Sequence, residues 1–195
     1  MKSWLKMLGS SMAVLLFFTG CALIAYARWT QPIADADAAM AAGDVALALK
    51  SYAVAEQRFD SMPLLKRVLS SEYDRIVANQ LRLLFHTDRN QATVDKAARA
   101  PEGANPHFWA AAACFEQGRL EDDPSSRLAW FGRAQQELIK TVSAAPNDWD
   151  AKYDLELALR LTFELRRRPE TPPGDVMKLL RPEPAPGSVP TKRKG

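Results

Sequence analysis

Residues 8–27 form an uncharged run of twenty, LGSSMAVLLFFTGCALIAYA. Beyond it, apolar positions recur at intervals of three and four as far as Arg168. No sustained alternation and no strand–helix rhythm interrupts them, so the pattern predicts helices throughout. Pro32 is expected to separate a helix over the apolar run from a second one at 33–42. Gly43 and Asp44 end that helix and start the next, at 45–59, with Ala48, Tyr52 and Ala55 on one face. Ser61, Met62 and Pro63 open a longer helix with an apolar stripe of Leu65, Val68, Leu69, Ile76, Leu84 and Phe85. Asp88, Arg89 and Asn90 are polar punctuation before a short helix at 91–99. Residues 101–106, with two prolines and a glycine, read as a loop. A helix at 107–117 is expected to stop at Gly118. Ser125 or Ser126 is expected to cap the helix at 127–144. Asn147 or Asp148 starts the last one, through Trp149, Tyr153, Leu157 and Leu161 to about Arg168.

The spacing of these elements predicts an all-α chain of antiparallel helix pairs. Small residues where helices cross, a bulky aromatic beside them and a proline after the second helix make a tetratricopeptide-like pattern. Gly43, Ala48, Tyr52 and Ala55 fit one such unit, and Ala134, Leu138 and Pro146 fit another. Residues 63–106 fit poorly, so a generic helical bundle is the alternative architecture. After Arg168 the character changes. Seven of the 13 prolines lie in 169–195, a density that predicts an extended, disordered tail. The expected organisation is a cytoplasmic end and transmembrane helix at 1–28, a helical domain at 29–168, and the proline-rich tail at 169–195.

A helix over Leu8 to Ala27 would rise roughly 30 Å, about one hydrocarbon core. Trp4 lies on one side, with Tyr26 and Trp29 on the other, as interfacial aromatics do. Lys2 and Lys6 precede the run, and a basic end stays in the cytoplasm. The expectation is therefore a single-pass signal anchor in a bacterial inner membrane, with the body in the periplasm. A cleaved leader needs a shorter apolar core and a small-x-small exit, which Tyr26, Ala27 and Arg28 do not offer. Phe18, Thr19, Gly20 and Cys21 resemble a lipobox, yet the apolar run continues through Ala22, Leu23, Ile24 and Ala25.

Composition is ordinary for a globular chain: 195 residues, 47% apolar and 25% charged. Two cysteines exclude a disulfide scaffold. Charge changes the picture more. The chain carries 26 basic and 23 acidic residues, and no acid precedes Asp35. The whole excess therefore sits at Lys2, Lys6 and Arg28. Residues 29–168 hold 18 basic and 20 acidic side chains, which argues against a nucleic-acid partner.

Catalytic signatures are missing. The two histidines, His86 and His107, and the two cysteines, Cys21 and Cys114, make no zinc pattern. No phosphate-cradling glycine loop and no nucleophile elbow is present. Cys114 and His107 are seven residues apart, roughly 10 Å along a helix, too far for a nucleophile–base hydrogen bond. Neither an enzyme, a cofactor nor a small-molecule substrate is expected. Asp148, Asp150, Asp154 and Glu156 form an acidic cluster that could deliver calcium, though without the spacing of an EF-hand loop. In the tail, Val176, Met177, Leu179 and Leu180 form an apolar island able to dock into a partner's groove.

The most distinctive stretch is NDWDAKYDLELALR at 147–160. It resembles the "DWDARYNLE-AL" helix of MxaK-type proteins, and of related tetratricopeptide-like membrane-anchored accessory proteins encoded with MoxR-type AAA+ ATPases and von Willebrand A domain proteins in bacteria. The match is close over 146–161 and loose from Arg127. It covers Trp149, Asp150, Tyr153, Leu155, Glu156, Ala158 and Leu159, and departs at Asp154, where the family pattern has Asn. The resemblance implies a non-catalytic, membrane-anchored scaffold that binds a von Willebrand A partner through Trp149, Asp150, Tyr153 and Glu156. Its alternative implication is a maturation or calcium-delivery factor for a periplasmic dehydrogenase. Packing would also account for Trp149 and Tyr153, as core residues.

Overall fold

The computed structural model describes the backbone of residues 2–167 and the side chains of Met12 and of 15–167. The proline-rich tail and its island, Val176, Met177, Leu179 and Leu180, lie outside the described residues. All described regular elements are helical: α1 (Lys2–Ala41), α2 (Val45–Asp60), α3 (Pro63–Val68), α4 (Ser70–His86), α5 (Asn90–Ala97), α6 (Pro106–Leu120), α7 (Pro124–Ala144) and α8 (Trp149–Arg167). A 3-10 turn at Glu102–Ala104 lies between α5 and α6. Two compact units hold them. The first is Met1–Thr87 with Arg99–Pro106, and the second is Asp88–Ala98 with His107–Gly195.

In the first unit, α2 packs against both α1 and α4. Gly43 turns the chain at φ +78°, a backbone region where a Cβ is strained. Asp44 then caps α2, its carboxylate accepting the Leu47 amide at 3.0 Å. The crossing is built on buried alanines, Ala36 and Ala39 from α1 with Ala48 and Ala55 from α2. Small side chains let the helices approach, and Tyr52 and Phe59 fill the space beside them. Ile76, Val77 and Leu81 of α4 complete this core. The single helix expected from Pro63 is divided at Leu69 (φ −109°, ψ 39°). Leu65 and Val68 are consequently exposed, whereas Ile76 and Leu84 are buried.

The expected membrane span does not hold. Among the described residues no helix is long and apolar enough to cross a membrane. The segment marked by Leu8 and Ala27 is not a separate helix. It belongs to α1, which continues through Pro32 to Ala41 and brings Ile33, Ala36 and Ala39 into the first unit's core. The dependent expectations go with it: a single pass, an inner-membrane location, a cytoplasmic end and a periplasmic body.

Pro32 fails to divide α1 for a reason supplied elsewhere in the chain. A proline leaves the carbonyl four residues earlier without its helical donor. That carbonyl belongs to Arg28, and Arg58 Nη1 of α2 donates to it at 2.9 Å and to the Trp29 carbonyl at 2.8 Å. One guanidinium thus bridges the defect. Arg58→Leu is expected to cost the first unit about 1–2 kcal/mol, read as a lower urea midpoint with an unchanged m-value.

In the second unit, α7 and α8 pair as a helical hairpin. Phe131, Leu161 and Leu165 form one core cluster, with Phe115, Leu128 and Leu157 against it. Ala111, Leu138 and Ala158 form another, with Phe115 and Leu155. Gly118 does not stop α6, which runs to Leu120. Its role is space, since a Cβ there would meet the Phe131 ring at 3.0 Å. Asp123, not Ser125 or Ser126, caps α7, accepting the Ser126 amide at 2.7 Å. Hydrogen bonds from the Ser125 hydroxyl and the Ser126 amide hold the Asp123 carboxyl down at about 2. Arg127 is buried, and its Nε donates to the Glu121 carbonyl at 2.9 Å.

Candidate functional site: the outer face of α8

Helix α8 is amphipathic in an unusual sense, because its second face is aromatic as well as charged. Asp148 caps it, accepting the Ala151 amide at 3.0 Å. Asp150 stands in the first turn and Arg166 and Arg167 in the last, each sign matching the helix dipole. Ala151, Ala158, Leu161, Thr162 and Leu165 are buried, and Leu155 packs beside them. At 100° per residue these inward positions centre on Ala158. Diametrically opposite run Trp149, Tyr153, Glu156, Arg160, Phe163 and Arg167, all exposed and spaced 4, 3, 4, 3, 4.

Three rings on this line face solvent: Trp149 is 77% exposed, Tyr153 69% and Phe163 56%. Large aromatics carry 150–250 Å² of surface each and dominate interface energetics. Three of them in register on one helix face mark a contact surface more than a chance exposure. Cations cover the ring faces in part. Lys152 Nζ sits 4.5 Å from the Trp149 ring centre, and the Arg167 guanidinium 5.3 Å from that of Phe163. Between the aromatic ends, Glu156 and Arg160 form an ion pair one turn apart. The line therefore reads aromatic, aromatic, anion, cation, aromatic, cation.

Of the residues expected from the sequence, Trp149, Tyr153 and Glu156 lie on this line. Asp150 is exposed at its edge. The reading of Trp149 and Tyr153 as core residues does not hold. Arg160, Phe163 and Arg167 were not anticipated, although their 4–3 spacing from Trp149 is visible in the sequence.

The acids at the start of α8 do not make a calcium site. Among the described residues no group of three or more His, Cys, Asp or Glu could hold a metal ion. Asp148 is committed to its cap. Burial, followed by the charges of Asp150 and Asp148, pushes the Asp154 carboxyl above its ordinary value. That is the mark of mutual repulsion in a partly covered spot. The calcium-delivery alternative is thereby withdrawn.

Two other polar clusters stand apart from this face. His107 Nδ1 lies 2.6 Å from Glu137 Oε2, and Lys140 Nζ 3.0 Å from Glu137 Oε1. Burial pushes Glu137 up, but hydrogen bonds from Lys140 and His107 outweigh it, and the carboxyl sits below its ordinary value. Cys114, the thiol nearest in sequence, is wholly buried. Burial drives its pKa to about 11, so at neutral pH it is a packed thiol, not a nucleophile. In the first unit the Tyr52 hydroxyl donates to Asp37 Oδ1 at 2.5 Å and accepts from Asn79 Nδ2 at 2.9 Å. Arg75 pairs with Asp37 at 3.0 Å and with Glu72 at 3.1 Å. A groove of about 220 Å³ opens beside them, lined in part by Tyr26, Trp29 and Phe59. Its charged groups are engaged with one another, which suits them to holding α1 and α4 in place.

No known protein family, curated protein or solved structure matches this chain.

Proposed function

We propose that the chain is a non-catalytic protein-interaction module whose binding surface is the outer face of α8. The observation that carries this reading is the register of Trp149, Tyr153 and Phe163 on the face opposite the packed one. Helix-in-groove and helix-on-helix recognition use side chains at this spacing. The all-helical fold supports the reading, because rigid helix pairs hold such a face in one geometry at little entropic cost. A von Willebrand A domain protein, the partner implied by the likeness of 146–161 to the MxaK-type helix, is one occupant to be tested.

Trp149→Ser and Phe163→Ser are expected to leave the urea midpoint nearly unchanged, within about 0.5 kcal/mol, because both side chains are exposed. Each is expected to weaken the complex by roughly fivefold to thirtyfold, as loss of an aromatic anchor does. The check is size measurement of the tagged chain after mild cross-linking in cells. Complexes of unchanged size and yield in both variants would overturn the reading.

A further inference from the structure

We infer that the outer face of α8 is self-complementary and that its occupant is α8 of a second copy of this chain, packed antiparallel. This rests on the reading of that face as a binding surface. The six residues of the line are placed symmetrically about position 158. Glu156 and Arg160 lie two residues on either side, Tyr153 and Phe163 five, and Trp149 and Arg167 nine. A two-fold axis perpendicular to the helix, passing outside it at 158, therefore superposes unlike and compatible groups. Glu156 meets the partner's Arg160, and Arg160 meets the partner's Glu156. Tyr153 meets the partner's Phe163. Trp149 meets the partner's Arg167, a cation over an indole face.

Each contact occurs twice, as an isologous interface requires. The 4–3 spacing is that of a seam between two helices winding about each other. It runs the length of α8, about 27 Å. A parallel pair in the same register is excluded by charge, for it would set Glu156 on the partner's Glu156 and Arg160 on the partner's Arg160.

Within the single chain, Glu156 and Arg160 already pair along the helix, and Arg167 leans over Phe163. On association those side chains exchange a neighbour in their own helix for the same chemistry on the partner. Little new ordering is needed. The wet edges oppose the union mildly. Asp150 comes near the partner's Glu164, and Lys152 near the partner's Arg166. Such rim repulsion lowers affinity without reversing the central match, and the resulting dimer dissociates on dilution.

The test is sedimentation of the full-length chain over a range of concentrations, with helical content followed by circular dichroism. Wild type is expected to show a concentration-dependent dimer. Glu156→Arg places two arginines opposite two arginines, and Arg160→Glu places two glutamates opposite two glutamates. Each alone is expected to weaken association by roughly tenfold or more, with helical content unchanged. Mixed in equal amounts, the two variants present arginines to glutamates at both central contacts, and a mixed dimer of wild-type affinity is expected. A wild-type chain monomeric up to about 100 μM, a range reached by weak specific pairs, would overturn the inference. So would a dimer indifferent to the reversals, or variants that fail to recover on mixing. If the chain is monomeric while Trp149→Ser and Phe163→Ser still weaken the complex formed in cells, the second copy is ruled out and the binding face itself stands.

Discussion

Replacement of Phe131 by alanine is expected to remove about 3–5 kcal/mol from the stability of the second unit. Few single changes in this chain should cost more. The ring is wholly buried and belongs to a cluster with Leu161 and Leu165 of α8. It sits 5.1 Å, centre to centre, from Phe115 of α6. Its edge lies 3.0 Å from where a Cβ on Gly118 would be. Three helices therefore meet on one side chain, and no neighbour can collapse into the space without moving a helix. Domains of this size hold only about 5–15 kcal/mol in total. Chemical denaturation should show the loss as a lower midpoint with little change in slope. The outer face of α8 depends on this packing, so binding should weaken together with stability in Phe131→Ala. In Trp149→Ser and Phe163→Ser it should weaken without stability.

The second large effect is an alkaline loss of stability in the first unit. Burial, then the hydrogen bond to Asp37 and that group's charge, push Tyr52 up to about 12 from an ordinary 10. The folded chain keeps the phenol proton over a range in which the unfolded chain has released it. Stability is thus fully present below about pH 10 and declines as pH rises to about 12, in total by roughly 2–3 kcal/mol. Tyr73, raised mainly by burial, acts in the same direction. Cys114 adds its own loss in the second unit between about 9 and 11. Tyr52→Phe separates the first of these. It should abolish the Tyr52 share of the alkaline slope, while at neutral pH it leaves Asp37 and Asn79 without their shared partner and costs about 1–3 kcal/mol. Urea midpoints measured from pH 7 to 11 for both chains, with the difference plotted, provide the check. A pH-independent difference would show that Tyr52 is not held protonated by the fold.

Local chemistry made much of the fold legible. The start of α2 could be read because Gly43, Asp44 and the Ala48, Tyr52, Ala55 face lie close together in the chain. Four other features depend on distant partners and could not be read so. Pro32 looks like a break until Arg58 supplies the donor it lacks. Gly118 looks like a stop until the Phe131 ring, 3.0 Å from where a Cβ would stand, shows the tight approach that the glycine allows. The apolar run at 8–27 looks like an independent span until its helix is followed into the core at Ala36 and Ala39. Leu65 and Val68 continue an apolar period that the bend at Leu69 turns outward.

The site was legible in composition but not in orientation. Trp149, Tyr153 and Glu156 could be singled out from the sequence. Which way they point depends on Ala151, Ala158, Leu161 and Leu165 claiming the packed face. Small residues at 151 and 158 do not announce a core by hydrophobicity, whereas the large rings beside them do. Ordinary patterning therefore assigns the rings inward. Once that assignment is reversed, Arg160, Phe163 and Arg167 fall on the same line, and the 4–3 spacing explains why.

The most direct measurement is oxidative footprinting of Trp149, Tyr153 and Phe163 in intact cells, compared with the purified chain at high dilution. All three should be labelled readily in the dilute chain and protected severalfold in cells, while exposed apolar residues elsewhere, such as Leu64 and Val68, keep their labelling. Equal labelling of the three rings in both settings would mean that nothing covers this face, and would contradict the assignment of α8 as the binding surface.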